Sequence, residues 1–443
     1  MPDLPAAPNA TEALLAFAAD PDATGPLAFD GADVSLHALG NRSGEPWWEA
    51  AGLRLTARTL TDAKFRRANL TGANLVGADL SRASCSGIML GGARLEQAVL
   101  READLIGGTL TDVEAGEADF TGAMMEDVNL KNARLRFATL TNAVMDGADL
   151  SGADLWGAKL GGIAAERATF RGARLDETKL SDADLAGADF TGASLRRANL
   201  TGACLRGATM RDAVLEGAIL RRADFGNAIL PHVVLSTCDL HEARWAGAWL
   251  ERSRMRAHQL GPAIGEEIAG EFEAAREGYI VLEQNFHSLG LGEDESWAFR
   301  RRRRMGKRMH AAHTRAAMQD RHPLRALGAG ARWLSDQMAE WICDYGESVT
   351  RVLGAFLVVL LAFAALYWAT GCLVPREGTA SADAFKLVDY LLFSLDSMTT
   401  VGTAEVGLRP GGQLGTLLSS LQTVMGTVLL GLFGFVLGVR MRG

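Results

Sequence analysis

Residue types that do bond chemistry are scattered along this chain, and one segment stands apart from them. The five cysteines (Cys85, Cys204, Cys238, Cys343, Cys372) show no CxxC or Cys/His ligand spacing. Reduced thiols are therefore expected, with neither a disulfide framework nor a zinc site. His310 and His313 share a helical face, but two imidazoles are too few to hold a metal. There is no P-loop, no nucleophile elbow and no paired-carboxylate context, so no enzyme, cofactor or metal site is expected. The segment that stands apart is TTVGTAEVG, Thr399–Gly407, which lies between two long apolar runs. Irregular backbone at membrane depth is tolerated only where protein buries it or water lines it. Passage across a membrane, without bond-making, is the chemistry this placement suggests.

The elements that must position that segment are legible around it. Val352–Ala369 is an uncharged run of 18 residues, enough for one spanning helix. Tyr367 and Trp368 mark its far end, as interfacial aromatics do. Leu414–Val439 is a second run, rich in glycine (Gly415, Gly426, Gly431, Gly434, Gly438) and closed by Arg440 and Arg442. Basic residues flank the start of the first run and the end of the second, so both termini are expected on the cytoplasmic side. Phe385–Met398, FKLVDYLLFSLDSM, is apolar enough to enter a membrane but too short to cross it. Gly426 is assigned as a hinge in the second span, although close helix packing is the ordinary role of a glycine there.

A span, a short re-entrant helix, a T-V-G loop and a second span together resemble the pore module of potassium channels. Members of that family carry T-V-G-Y-G-D, whose carbonyls and threonine hydroxyl replace the water around a dehydrated ion. Thr400, Val401 and Gly402 match, and the ion filter implied is Thr399, Thr400, Val401, Gly402, Thr403 and Ala404. Asp396 and Glu405 match carboxylates that support the filter. Where the family has Tyr-Gly this chain has Thr403-Ala404, which removes a bracing ring and a glycine that tolerates angles L-residues resist. The resemblance thus implies two or three cation sites with relaxed selectivity, taking K+ and also Na+. It further implies a homotetramer in a bacterial inner membrane, because one loop supplies one wall of such a pore.

A different rule governs the first half of the chain. At every fifth position from Leu60 to Leu260 stands Leu, Phe or Met, the exceptions being Cys85, Ala115, Ala165 and Trp245. Two residues before each there is usually Ala. Neither helix nor strand period gives this register. Both apolar residues face inward only if the chain turns a corner every five residues, which makes a four-sided coil of about twenty residues, stacked at the strand spacing of about 4.8 Å. Large and small residues then trade places to hold the core volume constant. Ile88 is accordingly expected against Gly108, and Val113 with Ala115 and Ile163 with Ala165 are the same exchange within one unit. The pattern resembles the pentapeptide-repeat proteins, which implies a right-handed quadrilateral β-helix. Some members bind topoisomerases as DNA mimics, but that needs an acidic face, which the scattered arginines oppose.

Between the two regions, spacing becomes helical. GEEIAGEFEAAREGYIVLEQNF reads as an amphipathic helix with Ile268, Phe272, Ala275 and Ile280 or Leu282 on one side. SWAFRRRRRMGKRMHAAHTRAAM reads as a second, basic helix, and Trp333–Tyr345 as a third, after a break at Pro323, Gly328 and Gly330. Arg300, Arg301, Arg302, Arg303 and Arg304 are expected to face anionic lipid, as basic residues before a span do. NFHSLG, SWAFRRRRRM and YGESVTRVL resemble the linkers of bacterial proteins that join such repeats to such a pore.

The chain therefore reads as multi-domain: an N-terminal segment 1–26, a pentapeptide solenoid 27–257, an α-helical connector 258–345, and a two-span pore domain 346–443 with a re-entrant helix. Met1–Asp20 has no basic n-region, so the solenoid is expected to stay in the cytoplasm. A net charge of −8 gives no reason to expect nucleic acid. The expected function is a tetrameric cation channel subunit, touching membrane lipids, whose solenoid meets an unidentified cytoplasmic ligand or protein. The competing readings are a membrane-anchored scaffold that does not conduct and a topoisomerase-binding DNA mimic.

Overall fold

The computed structural model describes residues 13, 16, 18, 55–319, 323–375, 386–399 and 408–440. Most of the expected N-terminal segment and of solenoid residues 27–54 lies outside them. The chain divides into two compact units, residues 1–302 and 303–443, with the boundary inside the basic helix. The expected connector is thus shared between the units.

In the first unit, residues at the fourth place of the five-residue repeats bridge, in parallel, the residue twenty further on, from Thr59↔Asp79 to Val234↔Arg254, with Val214 the exception. The coil is therefore twenty residues long. At nearly all corners a backbone N–H donates to the carbonyl three residues back, as Ala63 N does to Leu60 O (3.0 Å), and Asp62 between them has φ 59°. Left-handed backbone at nearly all corners explains the abundance of Gly, Asn and Asp there. Leu60, Phe65, Leu70 and their successors are buried, as are the alanines two residues earlier. Aromatic rings one coil apart stack, Phe170 on Phe190 at 4.9 Å and Phe225 on Trp245 at 4.7 Å. Ile88 does lie against Gly108: a Cβ on Gly108 would stand 3.5 Å from Ile88 Cγ2.

The last coil would present open backbone, and helices close it. A 3-10 turn (Ala257–Leu260) leads to α1 (Gly265–Ile268), α2 (Phe272–Ser288) and α3 (Gly292–Gln319). Glu266 Oε1 accepts from Trp245 N (2.6 Å) and Ala246 N (2.8 Å). Asn285 accepts from Ser253 N (3.0 Å) and donates to Ser253 O (2.8 Å). Gln259 Nε2 donates to Leu235 O and Cys238 O. Each of these side chains is buried and takes the place of the next coil's backbone. The single helix expected over 265–286 is two, broken where Gly270 takes φ 78°. Ala275 and Leu282 are buried as expected, but Ile268 is exposed, and Tyr279 and Phe286 complete the inner face.

The second unit contains α4 (Pro323–Cys343), a 3-10 turn (Asp344–Gly346), α5 (Val349–Thr370), β1 (Leu373–Pro375), α6 (Leu387–Thr399), β2 (Leu408–Pro410) and α7 (Gly412–Arg440). β1 and β2 pair antiparallel, Leu373 opposite Pro410. α4 starts at Pro323 and runs through Gly328 and Gly330, ten residues earlier than expected. Proline suits a first helical turn, and a glycine costs only about 1 kcal/mol. α5 and α7 are each long and apolar enough to cross a membrane, with mean hydropathy 2.4 and 1.8.

Glu266→Ala leaves the buried Trp245 N–H and the half-buried Ala246 N–H without acceptors, at up to about 1–3 kcal/mol each. Hydrogen exchange in the full chain is expected to quicken at the amides of residues 243–256 and to stay unchanged in the coils before residue 160. Unchanged exchange at 243–256 would refute the capping role.

Candidate functional site

Helix α6 is the element around which the second unit is built. It packs on both α5 and α7, which also pack on each other. Its 13 residues rise about 20 Å, short of the roughly 30 Å of a hydrocarbon core. Ser348 caps α5 by accepting from Arg351 N (3.3 Å), and Gly371 ends it with φ 59°, donating to Tyr367 O. The chain then turns into β1. Tyr367, Cys372, Leu373, Phe393 and Leu408 form one buried cluster beside it.

Three polar side chains stitch the helices together. Tyr367 OH on α5 donates to Gln422 Oε1 on α7 (2.8 Å). Gln422 Nε2 donates to Ser394 O (3.0 Å) and Ser394 Oγ (2.5 Å) on α6. Ser394 Oγ donates onward to Leu360 O on α5 (2.8 Å). All three side chains are fully buried. Sequence reasoning missed this network, yet its signal was present: Gln422 and Ser394 are polar residues inside apolar runs, which are retained where they find partners.

The C-terminal end of α6 abuts the middle of α7. A Cβ on Gly426, halfway along α7, would fall 2.3 Å from Met398 O and 2.7 Å from Met398 Cα. Gly426 is thus a contact glycine that lets two backbones meet, the close packing that is the ordinary role of a glycine between such helices. Gly431 and Gly434, by contrast, have open space at the Cβ position. Asp396 and Thr399 lie in the last turns of α6, partly buried. Thr400, Val401, Gly402, Thr403, Ala404 and Glu405 lie outside the described residues.

The outward faces of this unit are apolar. Leu414, Leu417, Leu421, Val424 and Val428 on α7 repeat at three and four residues and are each at least half exposed. Val388, Leu392 and Leu395 make a similar exposed stripe on α6. Water-facing surfaces rarely carry apolar stripes of this extent.

Carboxylates hold four of the five arginines of the basic run. Arg301 pairs with Glu267 (3.0 Å) and Arg302 with Glu283 (2.7 Å) in the first unit. In the second unit Arg303 pairs with Asp336 (3.1 Å), Arg304 with Glu340 (3.1 Å) and Asp344 (3.5 Å), and Lys307 with Glu340. His310 Nδ1 lies 3.0 Å from Asp336 Oδ2. Burial alone would raise the Glu340 carboxyl, but the Lys307 and Arg304 cations bring it below its ordinary value. Arg300 is half-buried.

Sequence comparison finds eight copies of the family described as pentapeptide repeats, over residues 59–97, 78–114, 116–152, 148–185, 178–217 and 218–256. The solenoid is a pentapeptide-repeat domain. Among solved structures, this chain is similar to HetL, a pentapeptide repeat protein involved in heterocyst differentiation regulation from the cyanobacterium Nostoc sp. strain PCC 7120. The identity is 32% over 46% of this chain and 87% of HetL, with a TM-score of 0.35. It is also similar to QnrB1, a plasmid-mediated fluoroquinolone resistance protein, at 16% identity over 43% of this chain and 95% of QnrB1, with a TM-score of 0.20. No curated protein matches.

Within the pentapeptide-repeat domain, many carboxylates serve the coil itself. Asp79 Oδ1 accepts from Ser81 N (3.0 Å) and Ser81 Oγ (2.6 Å), and Asn69, Asp119, Asp149, Asp189 and Asn199 bond the same way two residues ahead. The Ser81 hydrogen bonds hold the Asp79 carboxyl below its ordinary pKa. On one face Arg94, Glu114, Arg134, Asp154 and Arg174 alternate in sign one coil apart, with Arg134–Glu114 at 2.7 Å. Such a face neutralises itself.

Gly426→Val must displace Met398 backbone, whereas Gly431→Val meets open space. Amide exchange at Ser394–Met398 is expected to accelerate at least tenfold in the first variant and to hold in the second. Equal effects from both would overturn the contact role.

Proposed function

We propose that this protein is a subunit of a homotetrameric cation channel, with the helices of residues 349–440 crossing the membrane and the pentapeptide-repeat domain serving as a docking surface on the cytoplasmic side. The observation that carries the reading is the ending of α6, a helix too short to span, against Gly426 at the midpoint of α7. The segment that follows, Thr400–Gly407, then starts at mid-membrane depth. There its carbonyl oxygens and the Thr400 hydroxyl replace water around a monovalent cation. The partial negative charge at the C-terminus of α6 points to the same place and favours a cation.

Four copies supply what one chain lacks. The uncovered stripe on α6 and the Leu414, Leu417 and Leu421 part of that on α7 gain partners, and four Thr400–Gly402 segments surround one axis. Asp396 and Glu405 add negative charge on either side of the loop. With Thr403-Ala404 in place of Tyr-Gly, the filter passes Na+ as well as K+. The family match ends at residue 256, so this reading rests on the helices and the T-V-G segment.

The test is ion flux through full-length protein in liposomes, with K+ and then Na+ as the driven ion. Wild type is expected to conduct both with less than tenfold preference. Gly402→Asp is expected to abolish flux and Thr400→Ala to alter the K+/Na+ ratio. Wild-type flux that Gly402→Asp leaves unchanged, or no flux in either salt, would favour a membrane-anchored scaffold.

A further inference from the structure

Between α4, α5 and α7 lies an apolar crevice of about 640 Å³. That is within the ordinary range for small-molecule sites. Trp341, Val358, Val424, Val428 and Leu432 line it, and Arg351 is the one charged residue on its wall. The crevice is open to the surroundings: Val358, Val424 and Val428 remain 66%, 61% and 57% exposed. No side chain of the described residues fills it.

Three features decide what does. The crevice runs along α5 and α7, the two helices of spanning length, so its walls continue the surface that faces hydrocarbon. α4 adds an exposed stripe at helical spacing, Leu327, Leu334, Met338 and Trp341, while Asp336 and Glu340 on its other side are held by Arg303 and Arg304. A helix with a charged face pinned to protein and an apolar face carrying tryptophan suits the interfacial layer of a bilayer. Arg351 stands at the first turn of α5, where the hydrocarbon must begin. Its Nη1 donates to Glu340 O (2.8 Å) and lies 3.7 Å from Asp344, and the side chain stays 44% exposed. A fixed, partly exposed guanidinium beside an apolar slot matches an anionic headgroup with its tail.

We propose that this crevice binds one acyl chain of an anionic phospholipid from the leaflet in which α5 begins, with Arg351 meeting the phosphate. The inference rests on the reading of α5 and α7 as membrane spans. Bound there, the lipid bridges α4 to both spans and ties the ion-paired helix α3 to the membrane-facing bundle through the packing of α4.

Full-length protein in phosphatidylethanolamine vesicles tests it, with brominated phosphatidylglycerol or brominated phosphatidylcholine added at equal mole fraction. Quenching of Trp341 is read as the difference between wild type and Trp341→Phe. Phosphatidylglycerol is expected to quench it with about fivefold preference, the contribution of one basic residue near anionic lipid. Arg351→Gln should erase the preference, and Val428→Phe should lower quenching by both lipids by filling the slot. Equal quenching by the two lipids in wild type, or none in a protein that floats with the vesicles, would overturn the lipid site and leave the spans standing. A disulfide between copies through Val428→Cys, with Trp341 unquenched, would give the crevice to a second copy. Protein that fails to float with vesicles would overturn the spans, and the site with them.

Discussion

A buried amide surrounded by apolar helices has to find its partners inside the protein, and Gln422 finds all of its contacts on the two neighbouring helices. It accepts from Tyr367 on α5 and donates to Ser394 on α6. In a hydrocarbon setting no water replaces a lost partner, so the network fixes the rotation of α7 and the depth of α6 together. The Gly426 contact then fixes where α6 stops. A one-turn slip of α6 would both break the Ser394 bonds and drive Met398 away from its glycine.

The pentapeptide-repeat domain obeys a different constraint with the same logic. Each corner forces left-handed backbone, each inward pair must fill a fixed cross-section, and each coil must satisfy the backbone of the next. The end of such a rod is where that last condition fails. Here it is met by Glu266, Asn285 and Gln259, side chains on helices. Burial raises the Glu266 carboxyl, a cost offset by the two backbone N–H groups it accepts. The rod has thereby a defined terminus, and helices rather than further coils lead on to the second unit.

What was legible in the sequence was whatever repeats or is local. The twenty-residue coil, the Ile88–Gly108 exchange and the two apolar spans came from spacing alone, because burial on a fixed period leaves a fixed trace. Long-range pairing left none. The arginines from Arg301 onward looked like a free patch because the carboxylates that hold them stand 19 to 36 residues away in sequence. The contact of Gly426 with Met398 left no trace, because a glycine in a helix carries no mark of what touches it. Gly270, read through as helix, breaks it because the chain must turn back onto the last coil. The filter assignment of Thr399–Ala404 came from the three-residue match Thr400–Gly402 and a resemblance.

The central claim is that α6 from four copies converges on one axis with its C-terminal end at mid-membrane. The most direct measurement is an electron-microscopy reconstruction of the full-length protein in lipid nanodiscs. The account predicts four copies, α6 on the inner side of α7, and Thr400–Gly402 nearest the axis. One or two copies per disc, or α6 turned outward to lipid, would contradict it.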